Sequence, residues 1–431
     1  MRKQLTDANG IKLKDCGCPD TGGISRRGFL KGAAAAGVLA GLASETLATR
    51  LAFAASPYDG DVLVVLSLRG GFDGLNAIVP AADPDYAMWR PNVGIPQGAL
   101  LQLDGMFGLH PAMAPLKPLW DAGTFGVVHA VGQAQPNRSH FSAMEELERA
   151  APGSSMRTGW LDRVLGDRGT STAFQGMQLG SSMASPAFRG PGPELAMWSV
   201  DSFGLDAAWD AEQRGLWDAA LRGLHKGAPD ALKAPAQAAL GALNTTAALQ
   251  ESGYTPENGA AYPDSDLGHA LSDVARLIKA NVGLQVAAVD YGDWDMHAGM
   301  GGPNNGWMHD HLTELSQAMS AFANDLGPNI ANVTLVTLTE FGRRVQENGS
   351  GGTDHGFGQV VLMLGGGVQG GAVHGTWPGL SESALIDGDL NGLNDYRVVL
   401  AEILEKRCGA GSVSSIFPGI SQDRLGVVRP R

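Results

Sequence analysis

Val62-Leu63-Val64-Val65-Leu66-Ser67-Leu68, followed at once by Arg69-Gly70-Gly71-Phe72-Asp73-Gly74-Leu75-Asn76, is the stretch on which the reading of the chain turns. The first seven residues are almost continuously apolar and of strand length. They lack the strict apolar–polar alternation of a strand with one wet face, which marks a strand covered on both sides. The abrupt switch to a Gly-rich segment ends the strand in a tight turn, and that turn carries a carboxylate, Asp73.

Four further apolar runs of the same kind lie at residues 125–131, 284–289, 333–338 and 360–364. Helical patterns separate them. Residues 111–121 form a weak helix candidate, because Pro115 and Pro118 fall inside it. A stronger one contains Leu267, Leu271, Val274 and Ile278, whose spacing places them on one helical face. Strands alternating with helices predict an α/β fold with a mostly parallel central sheet and helices on both faces. The Ala- and Leu-rich residues 206–249 read as a helical insertion interrupted by Pro229 and Pro235, and residues 251–264 as a surface loop, so that 206–264 is an insertion within one domain.

The N-terminus reads as an export address. Ser25-Arg26-Arg27-Gly28-Phe29-Leu30-Lys31 matches the twin-arginine pattern and precedes a mildly apolar run over residues 33–43. That run is too short to span a bilayer, which takes about 20 apolar residues, so it reads as a cleaved signal rather than an anchor. Ala52-Phe53-Ala54 supplies an A-x-A-like site, which makes residues 1–54 the signal and 55–431 the folded domain. The signal carries eight Lys/Arg and four Asp/Glu, so cleavage takes the formal charge from −13 to −17. That charge, with no basic block in the folded part, argues against nucleic acid as a partner. Cys16 and Cys18 leave with the signal, and the remaining Cys408 excludes an internal disulfide or a Cys-based zinc site. The expected location is periplasmic, cell-wall-associated or extracellular, with no stable membrane span in the mature form.

In a parallel α/β sheet, ligands gather beyond the carboxyl ends of the strands, so the residues after each predicted strand are the site candidates. Asp73 suits a divalent metal, or else an Asx turn. After residues 125–131 comes Pro136-Asn137-Arg138-Ser139-His140-Phe141, in which Ser139 sits at a helix N-terminus as an activated hydroxyl or as a simple N-cap. After residues 284–289 comes Asp290-Tyr291-Gly292-Asp293-Trp294-Asp295-Met296-His297, the densest carboxylate and imidazole group in the chain. Its O and N donors suit zinc, manganese or iron, and spacing leaves open whether Asp293 or Asp295 joins His297. Thr339-Glu340-Phe341-Gly342-Arg343 offers Glu340 as a carboxylate behind the ligands and Arg343 as an anion clamp or a structural ion pair. Gly352-Thr353-Asp354-His355-Gly356 places Asp and His side by side between glycines, and His374 follows further on.

Taken together, Leu68–Asn76, Asn137–Phe141, Trp294–His297, Thr339–Arg343 and Gly352–Gly356 resemble, in order, the motifs of the domain-of-unknown-function 1501 family. That resemblance implies an exported protein of alkaline-phosphatase-like or sulfatase-like fold. It further implies divalent metal ions, zinc, manganese or similar, two of them if the protein is active. By motif, Asp73, Asp354 and His355 would hold one ion, with Ser139 as nucleophile. Asp295 and His297, with His374 as a third ligand, would hold the other. Arg69, Arg138 and Arg343 are the candidates for holding an anion. The implied function is hydrolysis of a small-molecule or cell-surface ester of phosphate type, less so of sulfate type, because Ala134-Gln135-Pro136-Asn137-Arg138 puts alanine where a sulfatase carries its nucleophile. The competing reading is a non-catalytic exported binding protein that retains the fold.

Overall fold

The computed structural model describes residues 58, 60–168, 173–192, 194–205 and 210–431; the expected signal segment, residues 1–54, lies outside the described residues. Val62–Leu68 is the strand the sequence predicts and it occupies the middle of a nine-stranded sheet. It pairs in parallel with Val286–Tyr291 on one side and Val333–Leu338 on the other. Beyond Val286–Tyr291 the sheet continues, still in parallel, through Gly176–Leu179 and Glu194–Met197. Beyond Val333–Leu338 come Gln359–Gly365 and Phe125–Gly132, and the short strands Val373–His374 and Asn394–Asp395 both pair with Phe125–Gly132.

Alternation along the central strand divides the core between the two faces. Val62, Val64, Leu66 and Leu68 pack with Leu267, Leu271 and Val274 of the helix Asp266–Lys279 and with Leu312, Leu315 and Met319 of the helix Trp307–Leu326. Leu63 and Val65 face the opposite way, toward Trp160 and Val164 of the helix Trp160–Arg168 and Val399, Leu400 and Ile403 of the helix Tyr396–Lys406. The chain is therefore α/β, with a mostly parallel sheet and helices on both faces.

Three features depart from the sequence reading. Gln359–Gly365 runs antiparallel to both its neighbours. The 20 residues between it and Val333–Leu338 form a hairpin, Arg343–Glu347 with Thr353–His355, instead of the crossover helix that a parallel return requires. In consequence the hairpin stands at the same end of the sheet as the carboxyl termini of the parallel strands. Secondly, Gly176–Leu179 and Glu194–Met197 were not legible as strands, being four residues each. Lastly, Pro229 does lie in a break between helices, but Pro235 does not interrupt: the helix Asp230–Ser252 runs through it.

The insertion divides by compactness. Leu205–Pro229, with the helix Ala211–His225, belongs to one unit, while the described residues before it and Asp230–Arg431 belong to the other, which contains the whole sheet. Among the described residues no helix is long and apolar enough to cross a membrane.

Candidate metal centre

The loop after the central strand is shaped by two glycines. Gly70 and Gly71 have φ of +117° and +75°, a region costly for other residues. A Cβ on Gly70 would lie 2.7 Å from the Asp295 backbone nitrogen, and one on Gly71 2.7 Å from the Phe341 ring. These approaches draw the segments following three strands together. Within 294–297 the side chains alternate, Trp294 and Met296 buried, Asp295 and His297 toward solvent. The alternation puts Asp295 and His297 on one side, with Asp295 Oδ1 3.0 Å from His297 Nε2, while Asp293 is exposed in the left-handed region at φ +63°.

Four side chains meet at this end of the sheet. His355 Nε2 lies 3.0 Å from each of three atoms: His140 Nε2, His297 Nε2 and Asp295 Oδ1. His297 Nε2 is also 3.0 Å from Asp295 Oδ1, and His140 Nε2 is 3.5 Å from Asp295 Oδ2. His140, Asp295 and His355 form a group whose ligand atoms are close enough to share one metal ion. The remaining ring nitrogens decide the chemistry. His355 Nδ1 donates to the Arg138 carbonyl at 2.8 Å, His140 Nδ1 to the Glu340 carboxylate at 2.7 Å, and His297 Nδ1 to the Asp354 carboxylate at 3.0 Å. An imidazole that gives its Nδ1 proton to a carbonyl or carboxylate has Nε2 as its ligating atom. The three Nε2 atoms and the Asp295 carboxylate thus converge, His355 Nε2 lying 3.0 Å from each of the others. A divalent cation of the zinc or manganese class fits this donor set.

The shell behind the ligands is built to hold them. Burial alone would push the Asp295 carboxyl up, but Arg343 at 2.6 Å and the neighbouring histidines hold it down at about 2, so it is anionic. Arg343 itself is buried and also donates to the carbonyls of Gly70, Gly71, Trp294 and Thr353. Glu340, buried, accepts from His140, from the Gly70 N–H at 2.8 Å and from the Thr339 hydroxyl at 3.1 Å. Asn348 donates to Asp354 and to the His297 carbonyl, and with His297 it lowers the Asp354 pKa. The Phe341 ring lies under His140 and His355, its centroid 4.9 and 4.8 Å from theirs.

Of the six residues that the family resemblance assigns to metal sites, Asp295, His297, Asp354 and His355 come together, with Asp354 behind His297 rather than in the centre. The sets expected to bind two separate ions therefore merge into one cluster, and two residues fall outside it. Asp73 is buried, caps the short helix Gly74–Ala77 through the Asn76 N–H, and pairs through both oxygens, each at 2.9 Å, with Arg90. His374 sits on an edge strand opposite Val128, away from the strand's carboxyl end, with its Nε2 2.7 Å from the Gln369 carbonyl. The arginines are engaged as well: Arg69 with Glu148 and Asp290, Arg138 with Asp389, Arg343 with Asp295. Ser139 is the N-cap residue of the helix His140–Arg149, exposed, with no side-chain capping bond.

His140 is the member of the cluster that the sequence reading passed over. It was quoted only as the neighbour of Ser139; the signal was its place as first residue of a helix after a strand end. Arg90 was missed too, since nothing local to it announces a partner 17 residues back.

Beside the cluster opens a cleft of about 720 Å³, with His140, Asp295 and Glu340 on one side and Phe141, Arg157 and Arg189 among its other walls. Fold and site together define an α/β protein with a solvent-reachable histidine–carboxylate centre at the carboxyl end of its sheet. Residues 208–388 match the family model DUF1501, described as a protein of unknown function, which supports the family that the motifs resemble. The match includes Asp295, His297, Asp354 and His355, while His140 precedes it. Comparison with curated proteins and with solved structures finds no match.

Proposed function

We propose that the protein is an exported, metal-dependent hydrolase of phosphate-type esters, with sulfate esters the lesser class, built on an alkaline-phosphatase-like arrangement. The observation that carries this reading is the convergence of three imidazole Nε2 atoms on the Asp295 carboxylate at the edge of an open cleft. His140, His297, His355 and Asp295 would hold one divalent cation. When bound, such an ion polarises an ester oxygen and makes a nucleophile available near neutral pH. The chain's own groups do the rest. Glu340, Asp354 and the Arg138 carbonyl would keep each imidazole in the ligating tautomer, Arg343 fixes the carboxylate, and Arg69 lines the cleft, held by Glu148 and Asp290. Ser139, next to His140, is the candidate hydroxyl nucleophile.

The test is a panel of aryl phosphate, phosphodiester and aryl sulfate esters, assayed on protein purified after native export. Wild type should hydrolyse a phosphate ester, His355→Ala should lose a hundredfold or more, and Ser139→Ala should lose activity only if the hydroxyl attacks. A wild type that carries metal and hydrolyses none of the panel would favour the second reading, an exported binding protein. That reading draws on Ala134 at the nucleophile position of the sulfatase pattern and on Asp73 and His374 lying outside the cluster.

A further inference from the structure

The cleft holds more positive charge than the proposed centre uses. Arg69 on its wall is compensated by Glu148 and Asp290, and Arg149 by Glu146. Arg157 and Arg189, also on the wall, are exposed and have no side-chain hydrogen bond or ion pair among the described residues. They belong to separate loops, yet the Gly159 N–H donates to the Arg189 carbonyl at 2.7 Å, which ties the two loops into one wall. Phe141, next to His140 in the chain, lines the same cleft and is 90% exposed.

We infer that Arg157 and Arg189 form a second anion subsite, and that the molecule entering the cleft carries an acidic group separated by an apolar or aromatic portion from the group presented to the histidine–carboxylate centre. Guanidinium forks suit a carboxylate, sulfate or phosphate at the far end, and the Phe141 ring with Met144 suits the apolar middle. Glu145 and Asp293, the exposed acids on the walls, would repel a molecule that placed its second charge beside them and so help to fix its direction. The inference rests on the proposed hydrolase reading for its near end and on the arginines alone for its far end.

Equilibrium binding of two non-hydrolysable probes, phenylphosphonate and 4-carboxyphenylphosphonate, separates the two ends. It is measured by calorimetry on the full exported chain loaded with zinc. Wild type should bind the carboxylated probe about tenfold tighter or better. The double variant Arg157→Ala/Arg189→Ala, altered only at exposed side chains, should lose that preference and leave phenylphosphonate binding unchanged. His355→Ala should weaken both probes while the far-end preference persists. Equal affinity of wild type for the two probes, or a double variant that keeps the preference, overturns the subsite. Unchanged binding by His355→Ala overturns the near-end reading alone.

Discussion

Asp73 and Asp295 make an instructive pair. Each follows a parallel strand, each lies near glycines, and each has an arginine at hydrogen-bond distance. Asp73 is sealed: its oxygens are filled by Arg90, the Asn76 N–H and the Thr353 hydroxyl, all from the protein and all buried. Asp295 is 45% exposed, and its Oδ1 lies 3.0 Å from the Nε2 atoms of both His297 and His355. A carboxylate whose oxygens are all filled by buried protein donors is a strut, and one that faces several imidazole nitrogens at an open cleft is a candidate ligand. What separates them is the neighbours that the fold brings from far along the chain, not the local sequence.

That contrast can be broken at several points, the largest effect coming first. Asp73→Ala leaves Arg90 buried and unpaired, and loss of one partner of a buried ion pair costs about 3–5 kcal/mol. Chemical denaturation should show a drop of that order, while the folded fraction keeps its metal. A loss of metal without a loss of stability would move Asp73 to the other class. Glu340→Gln should act in the opposite sense, lowering metal affinity by about 10–100-fold, the usual effect of removing a group that orients a ligand, as read by competition with a chelator. Asp354→Asn, acting behind His297 in the same manner, should fall at the low end of that range because it is largely exposed. His374→Ala, at an edge strand outside the cluster, should change stability by no more than about 0.5 kcal/mol and leave metal content intact.

Much of the scaffold was legible because it is written in local pattern. The runs at 62–68 and 333–338 are the strands Val62–Leu68 and Val333–Leu338, and Leu267, Leu271 and Val274 line the buried face of their helix. The antiparallel return of Gln359–Gly365 was not, because an apolar run carries no direction. Direction depends on the hairpin before it, and that hairpin is what delivers Asp354 and His355 to the site. The site was legible to the same degree. Asp295, His297, Asp354 and His355 lie in dense motifs, whereas the inclusion of His140 and the exclusion of Asp73 turn on contacts that span 215 and 17 residues.

The central claim is that the four converging side chains bind one divalent cation. Elemental analysis of protein purified after native export, for wild type and for His355→Ala, tests it most directly. One equivalent of transition metal per chain in the wild type, falling below about a tenth in a variant that still unfolds cooperatively, is the predicted result. A wild type without metal that also fails to take up zinc, or a variant that retains the full equivalent, would contradict it.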